Sequence, residues 1–506
     1  MFKVYQVVTL LVIGIILNDV AMAENYSQLW GKNGEKWTPY SRLPDFSFAG
    51  YHCGEKPLPT LKVITNVKDF GAKADDEVDD TEAFKKAIEA TKEGAILIPK
   101  GKYLLSDILW IKKSNIVLRG EGLGKTILHF TNELEDVRPN MGSNTSGKKT
   151  SSYSWSGGFL WVEGKETSQK LSTIIGEAKR GDKVLSLSKA ADVKPGDWVR
   201  VSMTDDKKNS LVKHIYSEDP GSSSKIKKNA MIHFVSRIAG VKGKQVTLER
   251  PLRLDIRKDW KPVLASYSNS VSEVGIEELT ISFPVKPYKG HFSERGMNGI
   301  TFKGAWNCWV KNVEILNCDS GIFMGSRFCT IDGLRIASKR AKKVSGLSGH
   351  HGVILGTDSL MTNFDIQAKF IHDTCFTNFQ SGVVIKNGKG INLAFDHHKR
   401  GPYENLLCNI DAGDGKNIWR SGGGRGLGKN SAARGTFWGI RAKKSLKLPP
   451  NAFGPISLNF VGLQATEKSV TDLDGKWIEM IPPEKLIPKD LHAAQLARRL
   501  KSKLSK

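Results

Sequence analysis

The sequence predicts an all-β chain folded as a solenoid, and three observations carry that prediction. Short apolar pairs recur through its second half: Phe364/Ile366, Val383/Val384, Ile391/Leu393, Leu407/Ile410 and Phe437/Ile440. Polar, glycine-rich connections separate them, as expected of brief strands stacked in coils. Ile281, Ile315, Ile336, Ile366, Leu393, Ile410 and Ile440 read as equivalent positions, with separations of 34, 21, 30, 27, 17 and 30 residues. A coil of this kind needs about 20 to 25 residues, and longer gaps are loops inserted on one face. The short step into Ile410 is the weakest rung, and one of its two ends is open to reassignment.

The 506 residues, 39% of them hydrophobic, suffice for a large core. Several ordinary domains would fit that length, although a solenoid runs as long in one piece. Residues 1–23 read as a signal peptide. Lys3 is the charged region, Val7 to Leu17 the apolar region and Ala21-Met22-Ala23 the cleavage site. The apolar run is too short for a comfortable membrane span, and no later segment approaches that length. A secreted or periplasmic protein without stable membrane insertion is expected, processed after Ala23. Lys+Arg 76 against Asp+Glu 52 leaves +24, and the leader is neutral because Lys3 and Asp19 cancel. For an exported chain this basic, nucleic acid is not the expected partner. Uronate-bearing or sulfated polysaccharides, or anionic lipid surfaces, are.

Six cysteines, Cys53, Cys308, Cys318, Cys329, Cys375 and Cys408, are too scattered for a disulfide framework. No C-x-x-C occurs, so a structural zinc site is not expected. Cys308 and Cys329 occupy matching places in successive repeats, where they stack, bond or simply pack.

Taken in order, residues 24–170 hold an N-terminal cap and the first coils. Residues 24 to 60 are aromatic and proline-rich and suit a wrapping segment. Asp80 or Thr81 can N-cap a helix whose Phe84, Ala87 and Ile88 share a face. AILIPKGKYLL then reads as strand with a Pro99-Lys100-Gly101 turn, and SNIVLRGEGLGKTILHF adds two short strands. DFGAKADDEVDDTEAFKKAI, IPKGKYLL and VLRGEGLGKTIL resemble the opening of the pectate-lyase-like superfamily. That resemblance implies a right-handed parallel β-helix with an N-terminal cap helix, in a carbohydrate-active enzyme. It covers the first coils closely and the later repeats by pattern. The superfamily holds both lyases and glycoside hydrolases, with differing catalytic positions. The acidic clusters that bind calcium in the best-known pectate lyases have no counterpart here. Pectate is therefore not the expected substrate, and calcium is a cofactor the resemblance admits without ligands to assign.

GEGLGKT imitates a phosphate-binding loop, but the required leading glycine is Arg119 and no helix signal follows. A turn between coils is the better reading. Residues 131–170 form a Ser/Gly/Asn-rich excursion. Residues 171–262 alternate as GDKVLSLS, GDWVRVSM and HFVSRIAGVKGKQVTLERPL, a small inserted β module with Gly-Asp and Lys-Gly turns. The main β-helix occupies 263–485. Residues 486–506 close the chain with a basic amphipathic helix, either a cap or a contact for an anionic surface.

Titratable groups crowd between 351 and 445, where coils stacked about 4.8 Å apart bring loop side chains into one groove. His397, His398, Arg400 and Tyr403 leave one coil. His372 and Lys386 come from the coil before, Arg420 and Arg434 from those after, and His351 from one further back. β-Elimination needs a uronate carboxylate neutralised, a base for the adjacent C–H and an acid for the leaving oxygen. Hydrolysis needs two carboxyl groups at a set separation, for which Asp373, Asp396, Glu404 and Asp411 are available. The groove is rich in His and Arg, which favours elimination, with hydrolysis or polysaccharide binding without catalysis as the alternatives. His398, His397, Tyr403 and Arg400 are the catalytic candidates. His398 is the preferred base, because only one of two neighbours on an extended segment can face the groove. Tyr403 is the acid. His372, Lys386, Arg420, Arg434, His351 and Trp419 are the binding candidates, and no residue is assigned to a metal. Asp396 can orient an imidazole, and the glycines of WRSGGGRG can admit a chain close to the backbone.

Overall fold

The computed structural model describes residues 25–140, 142–143, 147, 149–150, 157–340 and 346–504; the signal peptide expected at 1–23 lies outside them. Short β-branched and aromatic runs form parallel strands that stack coil upon coil. One sheet runs from Val63–Asn66 through Gly94–Leu97, Ile116–Arg119, Gly275–Ser282, Trp309–Leu316 and Thr330–Ala337. It continues through Leu360–Thr362, Val384–Gly390, Leu406–Asp411, Thr436–Arg441 and Asn459–Leu463 to Trp477–Glu479. A second sheet links Leu109–Ile111, Leu160–Glu163, Asn298–Trp306, Ser320–Arg327, Gly349–Leu355, Phe370–Phe376 and Phe395–His397. Their inward residues share one apolar core. The fold is an all-β parallel β-helix. No helix among the described residues is long and apolar enough to cross a membrane.

Ile281, Ile315, Ile336 and Ile366 pair in register, as do Ile410, Ile440 and Leu463. Leu393 does not belong to that ladder. Ile366 pairs with Gly390, and Ile410 with Gly388. A Cβ at Gly388 would lie 2.1 Å from the Phe364 ring, and one at Gly390 would lie 2.4 Å from Leu393 Cδ2. The glycines leave room that Phe364 and Leu393 fill from neighbouring positions.

Helix Thr81–Ala90 buries Phe84, Ala87 and Ile88 in the core of the first coils. The GEGLGK stretch turns between strands Ile116–Arg119 and Thr126–Phe130. Strands Lys170–Ile175, Val184–Leu187, Trp198–Thr204, Met231–Lys242, Gln245–Leu248 and Val263–Ser266 close into a barrel. The barrel has its own core around Trp260, which Tyr403 and Ala432 of the coils enter. Leu29, Trp30, Leu43 and Phe46 pack on Val384, Leu406, Cys408, Trp438 and Val461, covering a flank of the first sheet. Helix Leu491–Leu504 docks beside them. Gln495 Nε2 donates to Pro44 O at 2.9 Å, and the Arg499 guanidinium donates to Cys53 O at 2.6 Å. All six cysteines are free and buried. Cys308 and Cys329 stack one coil apart, each thiol donating to a backbone oxygen at 3.3 Å.

Candidate active site

The second sheet stops at Phe395–His397 while the first runs on, and a cavity of about 440 Å³ opens near its last strands. His291, Phe292, His350, His351, Ile371, His372, His398, Arg420 and Ser421–Gly424 line it. Parallel register explains how residues so far apart in sequence meet. His351 pairs with His372 on adjacent strands. Their rings lie 4.8 Å apart, the spacing of neighbouring strands. His350 stacks on His351 at 4.1 Å, and His398 meets His372 edge-on at 5.0 Å. Gly352, beside His351, runs so close to the next coil that a Cβ there would sit 2.3 Å from Asp373 O.

Asp396 is the fixed point of the cluster. It has no exposed side-chain surface, and its Oδ2 bonds His398 Nδ1 at 2.7 Å and lies 2.9 Å from His372 Nδ1. Its Oδ1 accepts the Gly422 N–H at 2.7 Å. Burial alone would raise its pKa, but the two imidazoles pull it far below the usual carboxylate range. His398 thus presents Nε2 as its remaining nitrogen. His398 keeps 23% of its side chain exposed, against 7% for His372. Burial lowers the pKa of His372 and, more strongly, of His351. A second carboxylate, Glu294, lies 2.9 Å from His350 Nδ1 and accepts the Tyr288 hydroxyl at 2.7 Å.

The glycine loop is shaped to this cluster. A Cβ on Gly422 would lie 2.3 Å from His398 Cε1 and 3.0 Å from His372 Cε1. Asn430 Nδ2 donates to both Gly422 O and His397 O at 3.0 Å, and Ser421 Oγ accepts the His397 N–H at 3.1 Å. At the rim, the Arg420 guanidinium donates to Phe370 O and Ile371 O at 2.7 and 2.8 Å and remains exposed.

Of the residues expected from sequence, His398, His372, His351 and Arg420 come together here, and six are placed elsewhere. His397 is buried, stacked on Phe376 at 4.7 Å with Nδ1 at 2.9 Å from Phe395 O. Burial lowers its pKa to about 4. It is an aromatic core residue, as alternation along the strand requires once His398 faces out. Tyr403 is buried in the barrel core and bonds Ser381, too enclosed to protonate a leaving group. Arg400 is exposed, with its guanidinium 3.4 Å from Asn378. Lys386 is buried against Asp490 at 2.6 Å, beside the C-terminal helix. Arg434 donates to Glu404 at 2.7 Å in the barrel seam. Trp419 donates to Lys447 O at 2.6 Å and packs edge-on against Phe437, Phe453 and Phe460. Sequence reasoning missed His291, Phe292 and Glu294, which arrive on a loop some way upstream. It also noted Asp396 only as orienting a neighbour, whereas it orients two imidazoles. Calcium does not suit the cavity, because it takes 6–8 oxygen ligands and these walls offer imidazole nitrogens.

Residues 64–174 match the family model described as Rhamnogalacturonase A/epimerase, pectate lyase-like. The chain carries a pectate lyase-like N-terminal segment. Alginate lyase 7 of Azotobacter vinelandii is 35% identical over 97 residues, 17% of this chain and 11% of that protein. Mannuronan C5-epimerase AlgE3 of the same organism is 33% identical over 100 residues, 18% of this chain and 5% of that protein. The chain thus spans about a tenth or less of the length of these relatives. Among solved structures, the tailspike protein gp49 from Pseudomonas phage LKA1 is similar, with 14% identity and a TM-score of 0.41 over 75% of this chain and 64% of that one. The exopolygalacturonase from Thermotoga maritima matches with 11% identity and a TM-score of 0.30 over 75% and 70%. The family-model match ends ahead of every residue that lines the cavity.

Proposed function

We propose that this chain is an exported enzyme that depolymerises an anionic, uronate-containing polysaccharide by β-elimination in the histidine cavity. The observation that carries the reading is Asp396 gripping His398 Nδ1 at 2.7 Å while His398 remains the more open of its two imidazoles. A carboxylate at Nδ1 fixes the tautomer with a free Nε2 and stabilises the imidazolium that forms on proton abstraction. Arg420 at the rim is placed to meet the uronate carboxylate and make the adjacent C–H more acidic. In the step itself, His398 Nε2 takes that proton as the C–H electrons form a double bond and expel the glycosidic oxygen. With Tyr403 enclosed elsewhere, the protonated His398 returns the proton to the leaving oxygen when both lie on the same side of the ring. The net charge of +24 complements a polyanion, and the leader-like first 23 residues support export.

Hydrolysis fits the cavity less well. It needs an acid and a base carboxyl with room for water or a glycosyl bond between them. None of the lining residues is a carboxylate, and Asp396 and Glu294 behind them are engaged by imidazoles. The alginate lyase and the C5-epimerase among the relatives support an acidic-sugar substrate. Incubation with a panel of uronate and sulfated glycans tests the proposal. Ultraviolet absorbance from an unsaturated uronate is the expected result. New reducing ends without that absorbance would mean hydrolysis, and binding without products would mean a non-catalytic module.

A further inference from the structure

Three imidazoles at the floor of the cavity combine features that elimination alone does not use. His350, His351 and His372 are all buried, and each offers a ligand atom within 4.8 Å of the others. Their rings are 4.1, 4.8 and 5.5 Å apart. Two of them have Nδ1 2.9 Å from a carboxylate oxygen, His350 from Glu294 and His372 from Asp396. Carboxylates beside the rings are how metal-binding histidines are oriented. Behind Glu294 the Tyr288 hydroxyl donates at 2.7 Å, and behind Asp396 the Gly422 N–H does the same, so both carboxylates are themselves held.

We infer that His350, His351 and His372 form a three-nitrogen site for a first-row divalent metal ion of the zinc class, with a fourth position open to the cavity. The donor type selects the metal. Imidazole suits zinc, cobalt, nickel and copper, whereas calcium and magnesium require oxygen. Three protein ligands with one open position is the pattern of catalytic rather than structural zinc. Zinc–nitrogen bonds of about 2.0–2.1 Å put tetrahedral ligands roughly 3.4 Å apart, so small ring rotations close the set. Neutral imidazoles are the form a metal needs. The buried carboxylates of Glu294 and Asp396 offset the ion's charge. The second trio, His372, Asp396 and His398, is a weaker candidate, because both oxygens of Asp396 are already engaged. His398 lies outside this set. An ion there would share the cavity with the uronate of the proposed function and could polarise one of its oxygens. This last point rests on that reading; the metal site itself does not.

The full-length protein, stripped with a chelator and dialysed, is titrated with Co²⁺ and with Zn²⁺. One equivalent of Co²⁺ is expected to bind with the visible absorption of a low-coordinate nitrogen site, and Zn²⁺ to displace it. His351→Ala and His372→Ala should weaken binding by at least about 100-fold, and Glu294→Gln by about 10- to 100-fold, as for other carboxylates behind metal-bound histidines. His398→Ala should keep the metal. A stripped wild-type protein that takes up no stoichiometric Co²⁺ or Zn²⁺ overturns the inference, and so does undiminished binding in His351→Ala. Should His351→Ala fail to fold, the wild-type titration and Glu294→Gln still decide. Metal binding without cleavage of any glycan removes the proposed function alone. Cleavage by a stripped protein that takes up neither Co²⁺ nor Zn²⁺ removes the metal site and leaves the proposed function standing.

Discussion

The histidine cavity and the barrel seam draw on the same stretch of sequence, and both are buried and dense in ionisable groups. At the seam, Asp358 receives Arg250 at 2.5 Å and Arg253 at 3.2 Å. Glu404 receives Arg180 and Arg434, each at 2.7 Å, and Arg253 at 3.4 Å. Three of these arginines come from the barrel region, so the two carboxylates clamp it to the coils. In the cavity, by contrast, two carboxylates lie against the Nδ1 atoms of three imidazoles rather than against guanidinium groups. The difference lies in the partners. Where cations and anions saturate one another, the cluster fixes structure; where acceptors outlast donors at a cavity wall, it can act on a ligand.

Breaking each cluster should have opposite signatures. Glu404→Ala would leave Arg180, Arg253 and Arg434 facing one another in a buried site, and loss of one partner of such a set costs about 3–5 kcal/mol. Urea unfolding should show that loss, while folded Glu404→Ala keeps near-normal turnover. Arg434→Ala should act in the same direction and more weakly, without changing KM. Gly422→Ala should do the reverse. Its Cβ would collide with His398 and His372, and a misplaced catalytic group can cost about 100-fold in rate. Thermal melting should place its Tm near wild type, since the loop lies at the cavity surface.

Acid separates the two clusters by pH. Burial keeps His351, His372 and His397 neutral in the folded protein, so protonating them favours unfolding once pH drops below about 6.5. For Glu404, burial raises and its three arginines lower the pKa, with a result of about 2. Its stabilisation is complete above the unfolded value of about 4.3 and fades as pH falls from there toward 2. Stability measured against pH should therefore fall in two stages, and Glu404→Gln should flatten the lower one. The smallest effect expected is from Tyr403→Phe. It removes one hydrogen bond to Ser381, worth about 0.5–1.5 kcal/mol, and should leave turnover unchanged.

Sequence alone made the solenoid visible through its isoleucine rungs, because inward positions of stacked coils must all be apolar. It misplaced Leu393, since a glycine-bearing rung lets a neighbour's side chain take the space and one-dimensional spacing does not record that. His398, His372, His351 and Arg420 line one cavity because parallel register turns sequence repeats into spatial rows. Tyr403, Lys386 and Arg434 were equally polar and equally near in sequence, yet each meets a partner supplied by a distant element: the barrel core, Asp490 before the C-terminal helix, and Glu404 in the seam. Nothing local to those residues announces that partner. His291 and Glu294 were missed for the converse reason, because their loop reaches the cavity from an earlier coil with no periodic signal.

The central claim is that His398, poised by Asp396, removes the proton. Turnover and Tm of His398→Ala, measured on the glycan that wild type cleaves, test it most directly. Loss of a general base costs on the order of 100- to 10,000-fold in rate. A drop of that size in kcat with a wild-type Tm is the predicted result. A folded His398→Ala protein that still turns over at the wild-type rate would contradict it.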